Sequence, residues 1–226
     1  MPFILLMKLK DIKTKIPIEL YSSLEKRNIN ELRKSQSKSI KAGLLEGKNL
    51  VVCTPTASGK TLIAELACVK NIIEQKGKAV YIVPLKALAS EKYKEFKERY
   101  PFLRIGLSSG DLDSSDEFLG RNDLIVVTSE KLDSLIRHKT KWIKDIFTII
   151  VDEAHLLNDV KRGPTLEIVI TILMDYLKSY QLIALSATIG NPKEFASWLK
   201  AELVIDDWRP VELKKGIYCD GKLEFY

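Results

Sequence analysis

Residues 51–61 read VVCTPTASGKT. An apolar run of the kind found in buried strands breaks into small and loop-forming residues, and a lysine and a threonine close the stretch. Its second part, 54–61, matches x-x-x-x-x-G-K-[ST], the pattern of a phosphate-binding loop between a strand and a helix. Apolar residues then recur at steps of three or four, at Leu62, Leu66, Val69 and Ile73. We therefore expect a strand, a phosphate loop and a helix over 61–74.

The predicted loop consists of residue types that let a backbone close around phosphate. Its N–H groups and the N-terminus of the following helix attract phosphate oxygens. Gly59 would let the backbone approach closely, Lys60 would reach the β- and γ-phosphates, and the Thr61 hydroxyl would be a Mg²⁺ ligand. The predicted nucleotide-binding residues of the loop are Thr54, Pro55, Thr56, Ala57, Ser58, Gly59, Lys60 and Thr61. The strict pattern has glycine where Thr54 stands, so an ordinary strand–helix turn containing GKT is the alternative.

A second polar cluster follows another apolar run, where residues 149–155 read IIVDEAH. A carboxylate at a strand end can hold Mg²⁺ through water, which is the role we predict for Asp152. Glu153 is then placed to orient and deprotonate an attacking water. The alternative is a solvated acidic loop that contains DEAH by chance, and the phosphate loop upstream disfavours it.

Short apolar runs alternate with helical patterns along most of the chain. The runs are 79–83, 104–108, 124–128, 147–151 and 181–186, and the helical patterns are 17–27, 35–46, 87–98, 129–138 and 164–178. Runs that are apolar on both faces and separated by helices indicate a parallel sheet covered on both sides. This pattern predicts an α/β fold of the doubly wound kind, in which ligands bind beyond the carboxyl ends of the strands. Both polar clusters lie at such ends.

Composition and charge narrow the class of protein. The net charge of +6 favours a polyanionic partner, and a Lys- and Glu-rich thermophilic surface explains it equally well. The 3 cysteines form no C-x-x-C pair, so neither a disulfide framework nor a zinc site is expected. Cys53 and Cys68 are predicted core residues. Because no apolar run is long enough to span a bilayer and the first residues lack signal-peptide features, we expect no membrane association and a cytoplasmic location.

Six segments lie in the order and spacing of one protein family. They are TPTASGKT (54–61), PLKALASEK (84–92), TSEKLDSLIR (128–137), VDEAHLLNDVKRGP (151–164), SATIGNPKEFASWL (186–199) and WRPVELKKGIY (208–218). Together they resemble superfamily 2 helicases, more narrowly the superkiller-type branch, and within it the archaeal Hjm-type DNA repair helicases. The resemblance covers about residues 32–218.

The resemblance implies the first RecA-like motor domain of an ATP-dependent nucleic-acid helicase, over residues 31–205. Its sheet would be doubly wound and mostly parallel, with helices on both faces. Residues 1–30 would be a lead-in segment, and residues 206–226 a connector toward a second RecA-like domain. We expect no strand–helix alternation after the SAT segment, and hence a fragment of a longer helicase with further domains. Because the family's arginine fingers come from the second domain, this chain alone is expected to hydrolyse ATP slowly and to unwind no duplex.

Further roles are implied motif by motif. Gln36 corresponds to the glutamine that reads adenine, with Lys34 and Ser35 standing where the family usually has prolines. Ser186 and Thr188 of the SAT motif would couple the nucleotide site to strand separation, through hydroxyl hydrogen bonds near Asp152 and His155. The implied catalytic residues are Glu153, Lys60, Asp152 and His155. In the family, the histidine also couples the two motor domains.

Nucleic acid is the implied partner. The residues that match the family's backbone-contacting segments are Pro84, Leu85, Lys86, Gly110, Asp111, Thr128, Ser129, Lys131 and Arg162. Small hydroxyls, exposed N–H groups and lysines bind phosphates without reading sequence. The resemblance favours single-stranded or branched DNA, and RNA stays open because phosphate contacts do not distinguish the two.

Two other classes of function compete with a helicase motor. One is a phosphate-loop ATPase or phosphotransferase that acts on small molecules, in which the segments at 84–92 and 128–137 would have no role. The other is a nucleic-acid-binding module with a vestigial ATP site, which the intact Gly59-Lys60-Thr61 and Asp152-Glu153 disfavour. Nucleic-acid stimulation of ATP turnover discriminates the first alternative, and nucleotide titration discriminates the second.

Overall fold

The predicted parallel sheet is present. A computed structural model describes residues 7–55, 58–109, 118–208, 216–219 and 221–225. Its strands are β1 (Leu50–Cys53), β2 (Lys78–Val83), β3 (Ile105–Ser108), β4 (Leu124–Thr128), β5 (Ile146–Val151), β6 (Gln181–Ser186), β7 (Glu202–Ile205), β8 (Gly216–Cys219) and β9 (Lys222–Phe225). Within these ranges, β1 to β7 form one sheet in the order β3-β4-β2-β5-β6-β1-β7, with parallel neighbours throughout.

Among the described residues, six helices lie close to their predicted positions, and the seventh has no predicted counterpart. They are α1 (Ile18–Lys26), α2 (Lys34–Lys41), α3 (Lys60–Ile73), α4 (Lys86–Arg99), α5 (Ser129–Arg137), α6 (Gly163–Tyr176) and α7 (Pro192–Trp198). The helix predicted over 35–46 ends early, at Lys41. Gly43 and Gly47 follow with φ of +104° and +84°, a left-handed backbone that ends a right-handed helix. Among the described helices, none combines the length and the apolar character needed to span a membrane.

Helices cover both faces of the sheet, which confirms the doubly wound α/β fold. Leu50 and Val52 of β1 point to the side of α1 to α4, where their neighbours include Leu66. Val51 and Cys53 point to the side of α5 to α7. Alternate residues of a strand face opposite sides, so a strand buried on both sides must be apolar throughout.

One helix and one strand of the sheet after Ser186 were not predicted from the sequence. Helix α7 and strand β7 follow Ser186, and β7 pairs with β1 in parallel, so that it becomes an edge of the sheet. This strand is easily missed because it is short and only Val204 in it is buried. An edge strand with one half-covered face lacks the continuous apolar run of the central strands.

The lead-in segment packs into the same core as the sheet. Leu9 and Ile12, in a short 3-10 helix, and Leu20 and Leu24 of α1 are fully or almost fully buried in the cluster that contains α3. At the other end, β8 and β9 form an antiparallel hairpin within the predicted connector. The division into lead-in, motor domain and connector stays a prediction.

Strand order divides the carboxyl edge of the sheet into two halves. Strands β1, β6 and β5 are neighbours, so the phosphate loop, the SAT motif and DEAH follow adjacent strands. Strands β2 and β4 pair next to β5, with Val83 opposite Thr128. The two segments expected to contact nucleic acid therefore leave the sheet side by side, next to the strand that carries Asp152.

Candidate functional site

The phosphate loop is anchored to the strand beside it. The Thr54 N–H donates to the Ser186 carbonyl at 3.1 Å, which extends the β1–β6 pairing by one residue. The Thr54 and Ser58 hydroxyls are buried and lie 2.6 Å apart. Threonine is thus accommodated at the glycine position of the strict pattern because its hydroxyl has a partner inside the loop. Thr56 and Ala57 lie outside the described residues.

Gly59 is required both by its backbone conformation and by its surroundings. Its φ of +88° lies in the left-handed region, and it directly precedes α3. A Cβ at this position would lie 2.6 Å from Nε2 of Gln36. Any other residue would be strained and would displace the glutamine.

Gln36 links the start of α2 to the phosphate loop. Its Oε1 accepts from the Arg33 N–H at 2.8 Å, and its Nε2 donates to the Gly59 carbonyl at 3.0 Å. A primary amide has two N–H donors and two acceptor lone pairs, so these bonds leave one donor and one acceptor. That pair matches the N7 acceptor and N6 donor of adenine.

Lys60 lies across the inside of the loop. Its Nζ donates to the carbonyls of Thr54 and Ser186, each at 3.1 Å. Burial lowers the pKa of Lys60, and the nearby carboxylates of Glu153 and Asp152 act in the opposite direction. A partly desolvated cation at the first residue of a helix is suited to bind phosphate.

Asp152 is held in place by a residue that sequence reasoning missed. The Tyr81 hydroxyl donates to Asp152 Oδ2 at 2.8 Å, and the Glu153 N–H donates to Oδ1 at 3.0 Å. Burial, followed by the Asp152 charge, raises the pKa of Tyr81 well above its ordinary value, so the hydroxyl stays a donor. The available signal was a tyrosine inside the apolar run AVYIV, because a buried tyrosine hydroxyl needs a partner.

Glu153 adopts a backbone conformation that is uncommon for a residue with a Cβ. Its φ is +50° and its ψ is +43°. Such conformations cost on the order of 1–3 kcal/mol and cluster at active sites. Its Oε2 lies 3.3 Å from His155 Nδ1, without hydrogen-bond geometry. The side chains of Glu153 and His155, which are predicted to act in catalysis and in coupling, are thus in contact.

The donor set fits Mg²⁺. The Thr61 hydroxyl and the Asp152 carboxylate are hard oxygen ligands, and Tyr81 and the Glu153 N–H leave further lone pairs on Asp152. In the part of the chain that the structure describes, no cluster of three or more His, Cys, Asp or Glu side chains could hold a metal by itself. Mg²⁺ in nucleotide sites takes only one or two protein ligands, with phosphates and waters completing the shell.

A cavity of about 700 Å³ opens beside the loop. It lies between the lead-in segment, α3 and α4, and the residues around it include Asn30, Gln36, Gly59, Thr61 and Leu62. Its volume is in the range of small-molecule sites. A base that paired with Gln36 would lie within it.

The SAT motif contacts the loop differently from the expectation. The Ser186 carbonyl, rather than its hydroxyl, receives bonds from Thr54 and Lys60. The Ser186 hydroxyl is buried without a hydrogen-bond partner, and Thr188 is exposed. The expected hydroxyl bonds from Ser186 to Asp152 and His155 are therefore absent from the described residues.

The segments expected to contact nucleic acid vary in how much side chain they expose. Leu85 and Lys86 are exposed where α4 begins. Thr128 and Ser129 are buried, and the Thr128 hydroxyl caps α5 by accepting from the Lys131 N–H. A phosphate would reach this turn through backbone N–H groups rather than through these hydroxyls. Arg162 precedes α6, and Gly110 and Asp111 lie outside the described residues.

Comparison with known proteins identifies the family. The profile of the "DEAD/DEAH box helicase" family matches residues 33–195, which include the loop, DEAH and the SAT motif. The chain belongs to this family. Within it, the expected resemblance to superkiller-type superfamily 2 helicases is confirmed.

Similar sequences come from archaeal helicases. The chain is 51% identical over 211 residues to the ATP-dependent DNA helicase Hel308 of Thermococcus kodakarensis, covering 90% of this chain and 18% of that protein. It is 55% identical over 205 residues to Hel308 of Methanocaldococcus jannaschii, covering 87% and 17% respectively. The chain thus spans less than a fifth of the length of these two relatives.

A solved structure shows the same fold. The DUF1998 helicase MrfA, crystallised with DNA, matches with a TM-score of 0.73 and 27% sequence identity, over 85% of this chain and 30% of that one. The parallel sheet of this DEAD/DEAH box domain is therefore the RecA-like helicase fold.

An ionic network beside the phosphate loop was also not predicted from the sequence. Glu65 is fully buried and accepts from Arg27 at 2.6 Å, from Tyr100 at 2.6 Å and from Arg99. Arg99 also pairs with Glu95 of the same helix. The signal was an acidic residue four positions after Thr61, within the otherwise apolar run 62–69, on the helix face that carries Thr61.

Replacing Tyr81 with phenylalanine is expected to weaken metal binding without removing a metal ligand. Without the hydroxyl, Asp152 Oδ2 loses its hydrogen bond and the Glu153 N–H alone orients the carboxylate through Oδ1, and loss of an outer-shell hydrogen bond typically costs about 10- to 100-fold in metal affinity. The measurement is the Mg²⁺ concentration that half-saturates Mg²⁺-dependent nucleotide binding. Tyr93→Phe is the matched control, since that hydroxyl contacts Lys97 instead. Equal midpoints for both variants would contradict the role of Tyr81.

Proposed function

We propose that this chain is the ATP-binding first motor domain of an ATP-dependent DNA helicase. The observation that carries the proposal is that Lys60 and Thr61 follow β1 and Asp152 follows β5, at the carboxyl ends of the two strands that flank β6, with Glu153 directly after Asp152. Lys60 reaches across to the Ser186 carbonyl of β6, and its charge is coupled to both carboxylates of DEAH. Family membership supports ATP as the nucleotide.

In the proposed hydrolysis of ATP, each of the residues at this site has a different role. Lys60 and the loop N–H groups bind the β- and γ-phosphates. Mg²⁺, held by Thr61 and through water by Asp152, would neutralise charge on the phosphates. Glu153 would accept the proton of the attacking water, and it lies with a left-handed backbone two residues after the end of β5.

Hydrogen bonds at the carboxyl edge of the sheet connect the proposed nucleotide site to the segments proposed to contact nucleic acid. The Asp152 N–H donates to the Ile82 carbonyl at 2.9 Å, so the strand that carries the metal ligand is bonded to the strand that leads to Pro84 and Leu85. On the other side, Lys38 of α2 donates to the Ile205 carbonyl at 2.8 Å and pairs with Asp206 at 3.0 Å. The start of the connector toward a second RecA-like domain is thereby tied to the helix that carries Gln36.

DNA is the proposed polymer. The similar archaeal proteins are ATP-dependent DNA helicases, and the structural neighbour was solved with DNA bound. The net charge of +6 suits a polyanion. We propose single-stranded or branched DNA as the substrate, with unwinding by the longer protein that includes the second motor domain.

The test on this chain is a DNA titration at several salt concentrations. Because the proposed contacts are to phosphates, binding of single-stranded DNA should be weak and nearly independent of sequence. The logarithm of its affinity should fall by about 0.7 per logarithmic unit of salt for each phosphate neutralised. Fluorescence anisotropy with a labelled oligonucleotide measures this slope. Salt-insensitive or strongly sequence-selective binding would argue against the proposed contacts to DNA phosphates.

A further inference from the structure

Lys92 contacts the proposed metal ligand. It lies on α4, and its side chain is only 12% exposed. The Lys92 ammonium donates to Thr61 Oγ1 at 3.2 Å and pairs with Glu95 Oε2 at 2.9 Å. The hydroxyl proposed to bind Mg²⁺ therefore already has a cationic partner.

We propose that Lys92 is a positioning residue that competes with Mg²⁺ for the Thr61 hydroxyl, and that its ammonium moves wholly to Glu95 when the metal binds. This inference rests on the proposed function, in which Thr61 holds the metal of a bound nucleotide. Lys92, which lies outside the phosphate loop and DEAH, would then determine how much Mg²⁺ increases the affinity for nucleotide.

Electrostatic repulsion at short distance keeps the Lys92 ammonium and Mg²⁺ from binding the Thr61 hydroxyl at the same time. A hydroxyl oxygen has two lone pairs, so Lys92 and Mg²⁺ have separate acceptor sites on Thr61. Mg²⁺ binds oxygen at about 2.0–2.1 Å, and the ammonium lies 3.2 Å from the same atom, so the two cations would be at most about 5.3 Å apart. Repulsion between a divalent and a monovalent cation at this separation is large in a partly desolvated site.

Glu95 provides the alternative position for the ammonium. It already contacts Lys92, and it is held on its other side by Arg99, which also pairs with Glu65. The carboxylate therefore stays in place while the lysine side chain shifts by a rotation. The cluster of Lys92, Arg99 and Arg27 places three cations against the two carboxylates Glu65 and Glu95, so Glu95 can accept the Lys92 ammonium without any excess of negative charge in the cluster.

The competition would link the metal to the nucleic-acid side of the domain. Lys92 is six residues after Lys86, about 9 Å along the axis of the helix that begins at the exposed Leu85–Lys86 turn. Since α4 is one continuous helix, a shift of α4 that accompanies the change in the Lys92 contact would also move the Leu85–Lys86 turn.

The experiment compares nucleotide affinity with and without metal. A fluorescent ATP analogue is titrated into the wild-type chain, Lys92→Met and Lys94→Met, once in saturating Mg²⁺ and once in EDTA. The measured quantity is the Kd in EDTA divided by the Kd in Mg²⁺. We expect this ratio to rise roughly threefold to tenfold in Lys92→Met, because one repelling charge is removed and the Mg²⁺-free state loses a counter-cation. Lys94 is exposed on the same helix, so its variant controls for loss of net charge.

A second variant must move the ratio in the opposite direction. In Glu95→Gln the ammonium loses its alternative partner and stays on Thr61, so the ratio should fall below that of the wild type. The double variant should match Lys92→Met, because without the lysine the carboxylate has no role in the competition. Thermal unfolding verifies that each variant is folded.

The outcomes separate this proposal from the proposed function. A ratio in Lys92→Met that equals that of the wild type or of Lys94→Met overturns the competition while leaving nucleotide binding in place. A wild-type chain that binds the analogue in neither buffer overturns the proposed function, and the role of Lys92 with it.

Discussion

Replacing Lys60 with alanine is expected to weaken nucleotide binding by about 100-fold or more. The ammonium is the cation within the phosphate loop, and one hydrogen bond to a charged group contributes about 1.5–3 kcal/mol, which is roughly 10- to 150-fold in affinity. Lys60 is expected to contact two phosphates, so both contributions are lost. Isothermal titration with Mg²⁺ and a non-hydrolysable ATP analogue measures the change.

Glu153→Gln is the matched variant because it tests the next step of the reaction. The amide retains the shape of the side chain but accepts no proton, so affinity should stay within about threefold of the wild type. In the protein joined to its second motor domain, turnover should fall by about 10²- to 10⁴-fold, the usual contribution of a general base. Equal losses of nucleotide affinity in both variants would show that the roles assigned to Lys60 and Glu153 are wrong.

Replacing Glu65 with alanine is expected to lower the free energy of unfolding by about 3–5 kcal/mol. Glu65 is fully buried against Arg27, Arg99 and Tyr100, which come from two other elements of the fold. Without Glu65, Arg27 loses its carboxylate partner while Arg99 keeps Glu95, and removal of one partner from a buried ion pair is the costly way to break such a contact. For a domain of this size the melting temperature should fall by about 6–20 °C.

The control for this prediction is Glu98→Ala, on α4. Glu98 is exposed, and substitutions at such surface positions usually change stability by less than about 0.5 kcal/mol. Urea denaturation followed by circular dichroism measures both variants. If Glu65→Ala unfolds at the same urea concentration as Glu98→Ala, then the buried cluster does not stabilise the domain.

Local patterns predicted most of the fold and the core of the site. The central strands are apolar on both faces, and the phosphate loop and DEAH are short contiguous segments, so the signal for each lies within a few residues. Prediction failed at β7 because an edge strand lacks the double-sided apolar pattern. It failed for the Ser186 hydroxyl because a motif gives residue identity and not the direction of a side chain.

Local sequence patterns were sufficient to predict the parallel sheet, the positions of the phosphate loop and DEAH at strand ends, and the family of the chain. The distant side chains that support these motifs became visible only in the folded domain. Tyr81 bonds Asp152 across 71 positions, and Lys92 bonds Thr61 across 31. The physical reason is that the helix and strand periods govern near neighbours, whereas such contacts arise when parallel strands and the helices on one face of the sheet pack side by side.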